Sequence, residues 1–312
     1  MPPRAAEWQV SMNSDIRRFL KSRLSDKIFI ILVYAILTAV LLMVLIPLLF
    51  VVSASLSDPQ AVISGKVFIF PKDITFKGYI AIIKYGKFLT GFRNSVFYTA
   101  AGTFISIVMT ILCAYPLSRK EFTARNKISA YFVFTMYFSG GMIPTYMLIN
   151  GLGMIDTVWA ILIPSAMSTY NMIICRTFMV NSIPDELYEA GCIDGCTPFV
   201  YLYKVVVPLC RPIIAVLVLY YGVAKWNSYY DAMLYLKTES LNPLTIILRQ
   251  ILILGKVDMT KVSDVSALEA QRGLTDLLKY STIVVASLPV LIIYPFVQRH
   301  FVKGVMIGAV KG

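Results

Sequence analysis

Six apolar runs, each close to the length that crosses a lipid bilayer, dominate this sequence. They cover residues 28–52, 95–117, 128–148, 157–178, 212–236 and 280–302. A helix needs about 20 apolar residues to cross the hydrocarbon core, where backbone polar groups must be paired within the chain. The fourth run is interrupted by Pro164 and the polar residues near it, so we expect neighbouring helices to cover it. The pattern predicts an all-α integral membrane protein, a bundle of about six transmembrane helices.

Composition excludes a soluble globular protein. The 312-residue chain is 58% hydrophobic and only 15% charged, whereas soluble domains carry about 25% charged residues. The net charge of +12 comes from Lys and Arg in the loops between apolar runs, without a basic face or interleaved aromatic residues. That distribution indicates membrane topology and contact with lipid, and we expect no nucleic-acid partner.

Basic residues near the ends of the first two runs set the predicted orientation. Such residues mark the cytoplasmic side, and they form two clusters, Arg17, Arg18, Lys21, Arg23 and Lys27, then Arg119, Lys120, Arg125 and Lys127. Six crossings then place both termini in the cytoplasm. We therefore expect a cytoplasmic N-terminal segment over 1–27, a membrane domain over 28–302, and a cytoplasmic tail over 303–312.

The chain offers little material for catalysis or metal binding. It has one histidine, His300, and its five cysteines lack metal-site spacing. Cys192 and Cys196 could share a helix face, but two thiols without further ligands rarely hold zinc. A Gly-x4-Gly-Lys-Ser/Thr phosphate loop is absent from the sequence, so the chain is not expected to be an ATPase. We expect no metal, no cofactor and no catalytic residue.

Two long stretches, 53–94 and 237–279, are predicted to lie outside the cell. In the second, Leu244, Leu248, Ile251 and Leu252 follow helical spacing. This favours an interfacial or external helix over 243–254. A solvated loop with one short helix fits the pattern equally well.

The polar loop over 179–211 contains a short helix with start and stop signals. Ser182 is a candidate N-cap, Pro184 suits the first turn, and Asp185 lies three residues after Ser182 as in a capping box. Gly195 can end the helix or allow another backbone to approach closely. Pro198 prevents simple continuation of that helix.

The same loop resembles the Glu-Ala-Ala-x3-Gly-x9-Ile-x-Leu-Pro signature of permease subunits in binding-protein-dependent ABC importers. Glu189, Ala190, Gly195 and Pro208 fall on signature positions, while Gly191 replaces the second alanine; Val205 and Val207 replace the Ile and Leu. Other parts of the chain are similar to the carbohydrate-uptake, maltose-type branch of that family: the C-terminus 301–312, Asn94-Ser95, residues 142–146 and Trp226-Asn227.

The resemblance implies a fold, partners and a coupling site. It implies an ABC importer permease with a cytoplasmic coupling helix, a second homologous permease subunit, two cytoplasmic ATP-binding subunits and an extracellular solute-binding protein. The residues that it implies for ATPase coupling are Glu186, Glu189, Ala190, Gly191, Asp194, Gly195 and Pro208. Lys311 and Gly312, in the C-terminal tail, are implied to reach toward the ATPase pair.

A polar-aromatic cluster in the fifth run is the candidate substrate pathway. Its members are Trp226, Asn227, Tyr230 and Asp231, flanked by Lys225 and Tyr229. Aromatic faces stack on sugar rings, Asn and Asp bind hydroxyls, and a continuous helix would put Asn227 and Asp231 on one face. Alternatively, the aromatic residues belong to an interfacial belt, with Lys225 snorkelling or paired with a neighbouring helix.

These features favour the permease subunit of an ATP-driven importer of a sugar or oligosaccharide in a bacterial cell membrane. A permease for a non-sugar solute is the nearest alternative, because the loop signature is shared across importers. An ion-coupled secondary transporter would need carboxylate or histidine relays within the membrane, and only Asp231 is available. A membrane-embedded enzyme would need clustered His, Asp or Cys at helix ends, which the sequence lacks.

Overall fold

The computed structural model describes residues 24–84, 86–251, 278–292 and 295. The predicted C-terminal tail 303–312, most of the N-terminal segment 1–27 and the last part of the predicted helix 243–254 lie outside these residues. The chain divides into two compact units, residues 1–75 and 76–312. The described residues form helices and connecting turns, without a strand. The predicted all-α membrane fold is confirmed.

The first unit is built on one long apolar helix, α1 (Leu24–Ser55). None of its most apolar window is buried within the protein, so this surface is suited to lipid or to another subunit. A short helix, α2 (Pro59–Ile63), follows, and the Asp58 carboxylate caps it by accepting from the Gln60 amide at 3.1 Å. The first apolar run therefore forms the helix that the sequence predicts.

The second unit contains the remaining described helices, which are mostly short. They are α3 (Lys77–Lys84), α4 (Gly86–Ser118), α5 (Arg125–Tyr137), α6 (Met142–Gly151), α7 (Trp159–Leu162), α8 (Thr169–Ser182), α9 (Asp185–Ile193), α10 (Pro198–Tyr201), α11 (Val207–Leu209), α12 (Arg211–Trp226), α13 (Tyr230–Tyr235), α14 (Leu244–Arg249) and α15 (Leu278–Ile292). A π-helical turn, Leu202–Val206, joins α10 to α11, and a 3₁₀ turn, Glu239–Leu241, precedes α14.

Helix α4 is the centre of the second unit. It packs against α12, α8 and α14. The largest core cluster lies between α4, α8, the 198–209 stretch and α12, and its fully buried side chains include Met172, Cys175, Tyr201 and Leu217. Cys175 and Cys210 are free thiols inside this core, as expected for small buried cysteines.

Several predicted runs are bent or broken in the structure. Helices α5 and α6 meet at 112°, and the 198–209 stretch meets α12 at 80°. By length and apolarity, two unbroken helices in the described residues can cross a membrane, or up to four if each bent pair is one span. The fourth predicted run forms two helices, α7 and α8, separated at residues 163–168 where Pro164 interrupts the apolar pattern. The fifth predicted run is also interrupted after Trp226, and the chain becomes helical again in α13.

The stretch after α13 packs on α4 and is not a freely solvated loop. The Asn94 amide donates to the Ser240 carbonyl at 2.7 Å and the Asn242 carbonyl at 3.0 Å. The Ser95 hydroxyl accepts from the Leu244 amide at 2.8 Å. Asn94 and Ser95 thus lie inside α4, which begins earlier than the predicted residue 95. Within the described residues, the predicted helix 243–254 is α-helical only over α14, and residues 250–251 after it are in a π-helical conformation.

A glycine in α4 allows α14 to approach. An added Cβ at Gly91 would overlap the Ile247 Cδ1 and would lie 3.3 Å from the Leu244 backbone nitrogen. Ile247 is buried, so its end cannot swing into solvent to make room. The contact between α4 and α14 therefore depends on the absence of a side chain at Gly91.

This close approach gives a stability prediction. Gly91→Ala should destabilise the protein by about 1–3 kcal/mol, because overpacking a filled interface forces the backbone or rotamers to shift. Ile247→Val in the same background removes the overlapping atom and should recover most of the loss. The thermal unfolding midpoint in detergent measures both effects. Gly86→Ala is the matched control, since a Cβ there meets no atom within 4 Å. Equal midpoints for Gly86→Ala and Gly91→Ala would contradict this packing.

Candidate functional site

The predicted coupling helix exists as α9, but its start differs from the prediction. Ser182 is the last residue of α8, so it cannot be the N-cap of the next helix. Pro184 takes the N-cap position in an extended conformation, without a side-chain cap bond. The predicted Ser182 cap is therefore wrong, because the preceding helix extends to that residue. Asp185 and Glu186 in the first turn supply negative charge where the helix dipole favours it.

The end of α9 is a Schellman motif centred on Gly195. Gly195 has φ +74°, its amide donates to the Cys192 carbonyl at 3.0 Å, and the Cys196 amide donates to the Gly191 carbonyl at 2.9 Å. These are the paired bonds that close such a helix end, and the left-handed position favours glycine. Of the two roles considered for Gly195, the structure shows helix termination.

The inner face of α9 is held by the loop that follows α4. The Lys120 ammonium lies 2.6 Å from the Asp185 carboxylate. The Arg119 guanidinium lies over the Tyr188 ring, 3.9 Å from its centroid. Because Arg119 and Lys120 are in the loop after α4, that loop and α9 are linked by both charge and ring contacts. From the sequence, Arg119 and Lys120 indicate only which side of the membrane their loop lies on. No sequence pattern predicts that they contact α9.

Charge pairing also affects the titration of Asp185. The hydrogen bond from Lys120, aided by the charges of Lys120, Arg119 and Arg125, holds the pKa of the Asp185 carboxylate below its usual range. A lowered folded pKa means that the pair contributes fully above the ordinary carboxyl range and is lost only on acidification. The carboxylate is therefore charged at neutral pH, although solvent limits the energy of the pair.

A tyrosine packs directly on α9 and explains Gly191. The Tyr201 ring is buried and meets the Tyr188 ring edge-to-face, with the ring centroids 5.2 Å apart. A Cβ at Gly191 would lie 3.0 Å from the Tyr201 Cδ2, closer than ordinary packing allows. Gly191, which replaces an alanine of the family signature, is thus part of the inner face.

The outer face of α9 is exposed. Glu186, Glu189, Ala190 and Ile193 follow the three-four spacing of one helix face, and all are open to solvent. Ile193 is 86% exposed, and Phe199 in α10 is 78% exposed. Two carboxylates and exposed apolar side chains on one short helix form a surface suited to a soluble partner.

The remaining predicted coupling residues lie at the end of α9 and beyond it. Asp194 is the C-cap of α9 and is exposed, and Gly195 follows it. Pro208 lies in α11, after the π-helical turn, and is not on the outer face of α9. The structure therefore brings six of the seven predicted residues to one helix and its cap, and Pro208 to the next helical stretch.

The predicted substrate-pathway residues are dispersed, because the helix ends among them. Trp226 is buried, its indole N–H donates to the Ala286 carbonyl at 3.0 Å, and Phe92 packs on its ring. Asn227 is the exposed C-cap of α12, with its amide donating to the Val223 carbonyl at 2.9 Å. Tyr230 is exposed and Asp231 is half-buried at the start of α13. The shared face expected for Asn227 and Asp231 does not form.

Trp226 also lines a cavity of about 570 Å³ between α4, α12 and α15. Most of the other lining side chains are apolar, including Val96, Phe104 and Val290. An apolar cavity offers few groups that can bind sugar hydroxyls, so it is better suited to hydrocarbon.

A polar network that the sequence does not reveal joins α12 to the break between α7 and α8. The Tyr221 hydroxyl lies 2.7 Å from the Thr110 hydroxyl and accepts from the Ser168 amide at 3.0 Å. One turn later, the Lys225 ammonium donates to the Ser165 carbonyl at 3.1 Å and the Ser165 hydroxyl at 2.6 Å. Of the two alternatives that the sequence offers for Lys225, snorkelling to the interface or pairing with a neighbouring helix, the structure shows pairing, here with the segment between α7 and α8.

Comparison with known proteins identifies the family. No family model matches the chain. The polygalacturonan/rhamnogalacturonan transport system permease protein YtcP of Bacillus subtilis is 37% identical over 292 residues, covering 93% of this chain and 100% of the relative. The chain belongs to the permease subunits of carbohydrate ABC importers.

Other relatives agree with this assignment. Protein LplC of Bacillus subtilis is 36% identical over 269 residues, which is 86% of this chain and 90% of that protein. A crystal structure of a bacterial ABC transporter involved in the import of the acidic polysaccharide alginate matches with a TM-score of 0.83 and 32% identity. That match covers 90% of this chain and 99% of the other. Family membership and the apolar helices make this permease a bacterial inner-membrane protein.

The Schellman motif predicts how substitutions at Gly195 affect the end of α9. Gly195→Val should fray the last turn, because a left-handed conformation costs a non-glycine residue about 1–2 kcal/mol. Gly195→Asn should fray it less, since Asn tolerates that conformation. Hydrogen exchange of the 194–196 amides, followed by mass spectrometry, measures the difference. Unchanged exchange in Gly195→Val would show that the motif does not depend on glycine.

Proposed function

We propose that this permease is the membrane subunit of an ATP-driven oligosaccharide importer, and that α9 couples it to cytoplasmic ATPases. The single observation that supports the coupling role most strongly is the division of α9 into two faces. The inner face is fixed to the rest of the permease by Asp185, Tyr188 and Gly191. The outer face, with Glu186 and Glu189, is left exposed on a rigid support.

The partners that we propose follow from the family. They are a second homologous permease, two ATP-binding subunits and an extracellular solute-binding protein that delivers the substrate. Movement of an ATP-binding subunit against the outer face of α9 would be passed through Tyr188 to Tyr201 and Arg119, and so to α4 and the 198–209 stretch. The permease itself would contribute no catalysis.

For the substrate, we propose an oligosaccharide derived from a polysaccharide. YtcP is named for polygalacturonan and rhamnogalacturonan transport, and the similar crystal structure concerns alginate import. Both names refer to carboxylate-bearing polysaccharides, so an acidic oligosaccharide is the substrate class that we propose.

For the route of the substrate, Asn227, Tyr230 and Asp231 remain our candidates. They lie at the turn between α12 and α13, where their polar atoms are at least partly accessible. Trp226 is a weaker candidate for direct contact, because its ring is buried and its N–H is already bonded to Ala286. We propose that Trp226 instead stabilises the turn between α12 and α13, through its contacts with Ala286 and Phe92.

Charge reversal on the outer face of α9 tests the coupling role. The exposed carboxylates of Glu186 and Glu189 would fit a basic cleft on an ATP-binding subunit. Such a cleft would repel a lysine, so Glu189→Lys should strongly reduce retention of the ATP-binding subunits and ATP-dependent sugar uptake. Co-purification in detergent and uptake in proteoliposomes measure the two effects. Glu239→Lys is the control, since Glu239 forms an exposed ion pair with Lys87 in another part of the unit. Normal retention and uptake in Glu189→Lys would refute the coupling assignment.

A native thiol allows a direct test of the proposed orientation. Cys192 is exposed in α9, so a membrane-impermeant maleimide should label it only from the cytoplasmic side. In a Cys192→Ser background, a cysteine introduced at Lys66 should be labelled only from outside. Labelling of intact cells and of inverted vesicles provides the comparison. External labelling of Cys192 would overturn the orientation and, with it, the ATPase-docking role of α9.

A further inference from the structure

Lys225 is a buried cation in the last turn of α12. Only 8% of the surface of this residue is exposed. Gly102 in α4 makes room for its stem, because a Cβ at that position would lie 3.1 Å from the Lys225 Cδ. The packing thus accommodates a long charged side chain between two apolar helices.

The partners of this cation are both neutral. The Lys225 ammonium donates to the carbonyl and hydroxyl oxygens of Ser165, and an ammonium has three N–H groups to give. Among the described residues, the ion pairs involve other side chains and not Lys225. The charge of Asp231 acts on Lys225 without forming an ion pair with it. A buried charge without a bonded counter-ion is costly, and a charged side chain at membrane depth commonly marks a substrate route.

The location of Ser165 connects this buried cation to accessible space. Ser165 lies in the break between α7 and α8, and its neighbours Ile163 and Pro164 are exposed, as is Ser165 itself. Non-helical backbone within an apolar segment is tolerated where it lies against protein or lines a cavity, and broken helices in transporters surround substrate sites. A ligand that reaches Ser165 is therefore within one hydrogen bond of the Lys225 ammonium.

We propose that Lys225 determines specificity for acidic oligosaccharides, by pairing its ammonium with a substrate carboxylate at the Ser165 break. This proposal rests on the proposed oligosaccharide import. Two neutral oxygens of Ser165 hold the ammonium. A carboxylate that replaces the Ser165 hydroxyl, or joins it on the third N–H, supplies a hydrogen-bonded counter-ion, which none of the described ion pairs gives to Lys225. A neutral sugar supplies none, so the site favours the charged substrate.

Two probes of equal length separate charge recognition from general sugar binding. Trigalacturonate carries carboxylates, whereas its methyl ester has the same rings without the charges. Uptake of each is measured per assembled transporter in proteoliposomes containing the partner subunits, with the binding protein saturated by each probe. We expect the wild type to favour the acid. Lys225→Met, which keeps an unbranched side chain as far as Cε and removes the ammonium, should lower the acid-to-ester uptake ratio roughly ten- to hundredfold.

Two further variants complete the test. Lys237→Gln removes a positive charge from an exposed site and should leave the ratio unchanged. Ser165→Ala retains the cation but removes its hydroxyl partner, so the ratio should stay the same or rise. This variant also tests the proposal if Lys225→Met fails to assemble, because a ratio that falls in Ser165→Ala would overturn it.

The other results are equally decisive. Acid and ester uptake that fall together in Lys225→Met would show that Lys225 only holds the break, and would overturn the proposal. A wild type that moves ester as well as acid, or only neutral oligosaccharides, would overturn it while leaving ATP-driven sugar import intact. ATP hydrolysis without uptake of any oligosaccharide would instead remove the proposed function on which it rests.

Discussion

The structure of this permease depends on hydrogen bonds to every polar backbone group that lies in an apolar environment. Helices satisfy that need internally, but this chain contains breaks and turns that leave carbonyls and amides unpaired. Side chains on the long helices supply the missing bonds. Asn94 and Ser95 bond the backbone near residues 240–244, and Tyr221 and Lys225 bond the backbone of the break at 163–168. The irregular segments are therefore fixed by named polar groups on α4 and α12.

This arrangement makes α4 the structural link between distant parts of the second unit. Near its start it binds the segment before α14. At its other end the Leu117 carbonyl accepts from the Arg176 guanidinium at 2.8 Å, and Arg119 follows to pack on Tyr188. Helix α4 and the loop that follows it thus connect the stretch before α14 to α9. Small displacements of α9 would be borne by packed rings and ion pairs, which resist compression better than a solvated loop would.

Sequence patterns predicted the elements well and the contacts poorly. Apolar runs predicted the all-α fold, and the spacing of acidic residues and glycine predicted α9 and its end at Gly195. Hydropathy did not locate the break after Trp226, because apolar residues flank the short polar-aromatic cluster 226–231 on both sides and the whole run 212–236 has the length of one span. The Ser182 cap was wrong because an N-cap residue type is also acceptable in the last turn of a preceding helix.

Within the candidate sites, the sequence did not predict which side chains pair across distant parts of the chain. Lys120 with Asp185 and Lys225 with Ser165 join residues about 60 positions apart, and no local periodicity records such a pair. The family signature covers Glu189, Ala190 and Gly191 in α9, but it does not indicate that Lys120, Arg119 and Tyr201 hold the inner face. The Lys120–Asp185 and Lys225–Ser165 pairs both depend on tertiary structure, because their side chains belong to elements that are far apart in the sequence.

The contact between Gly191 and Tyr201 also has an evolutionary consequence. An alanine at position 191, as in the family signature, would press on the Tyr201 ring unless the ring moved by a few tenths of an ångström or a smaller side chain replaced it. Tyr201 is enclosed by the core and cannot shift freely. Substitutions at these two positions should therefore be inherited together, and a lineage that restores the alanine should show a compensating change at position 201.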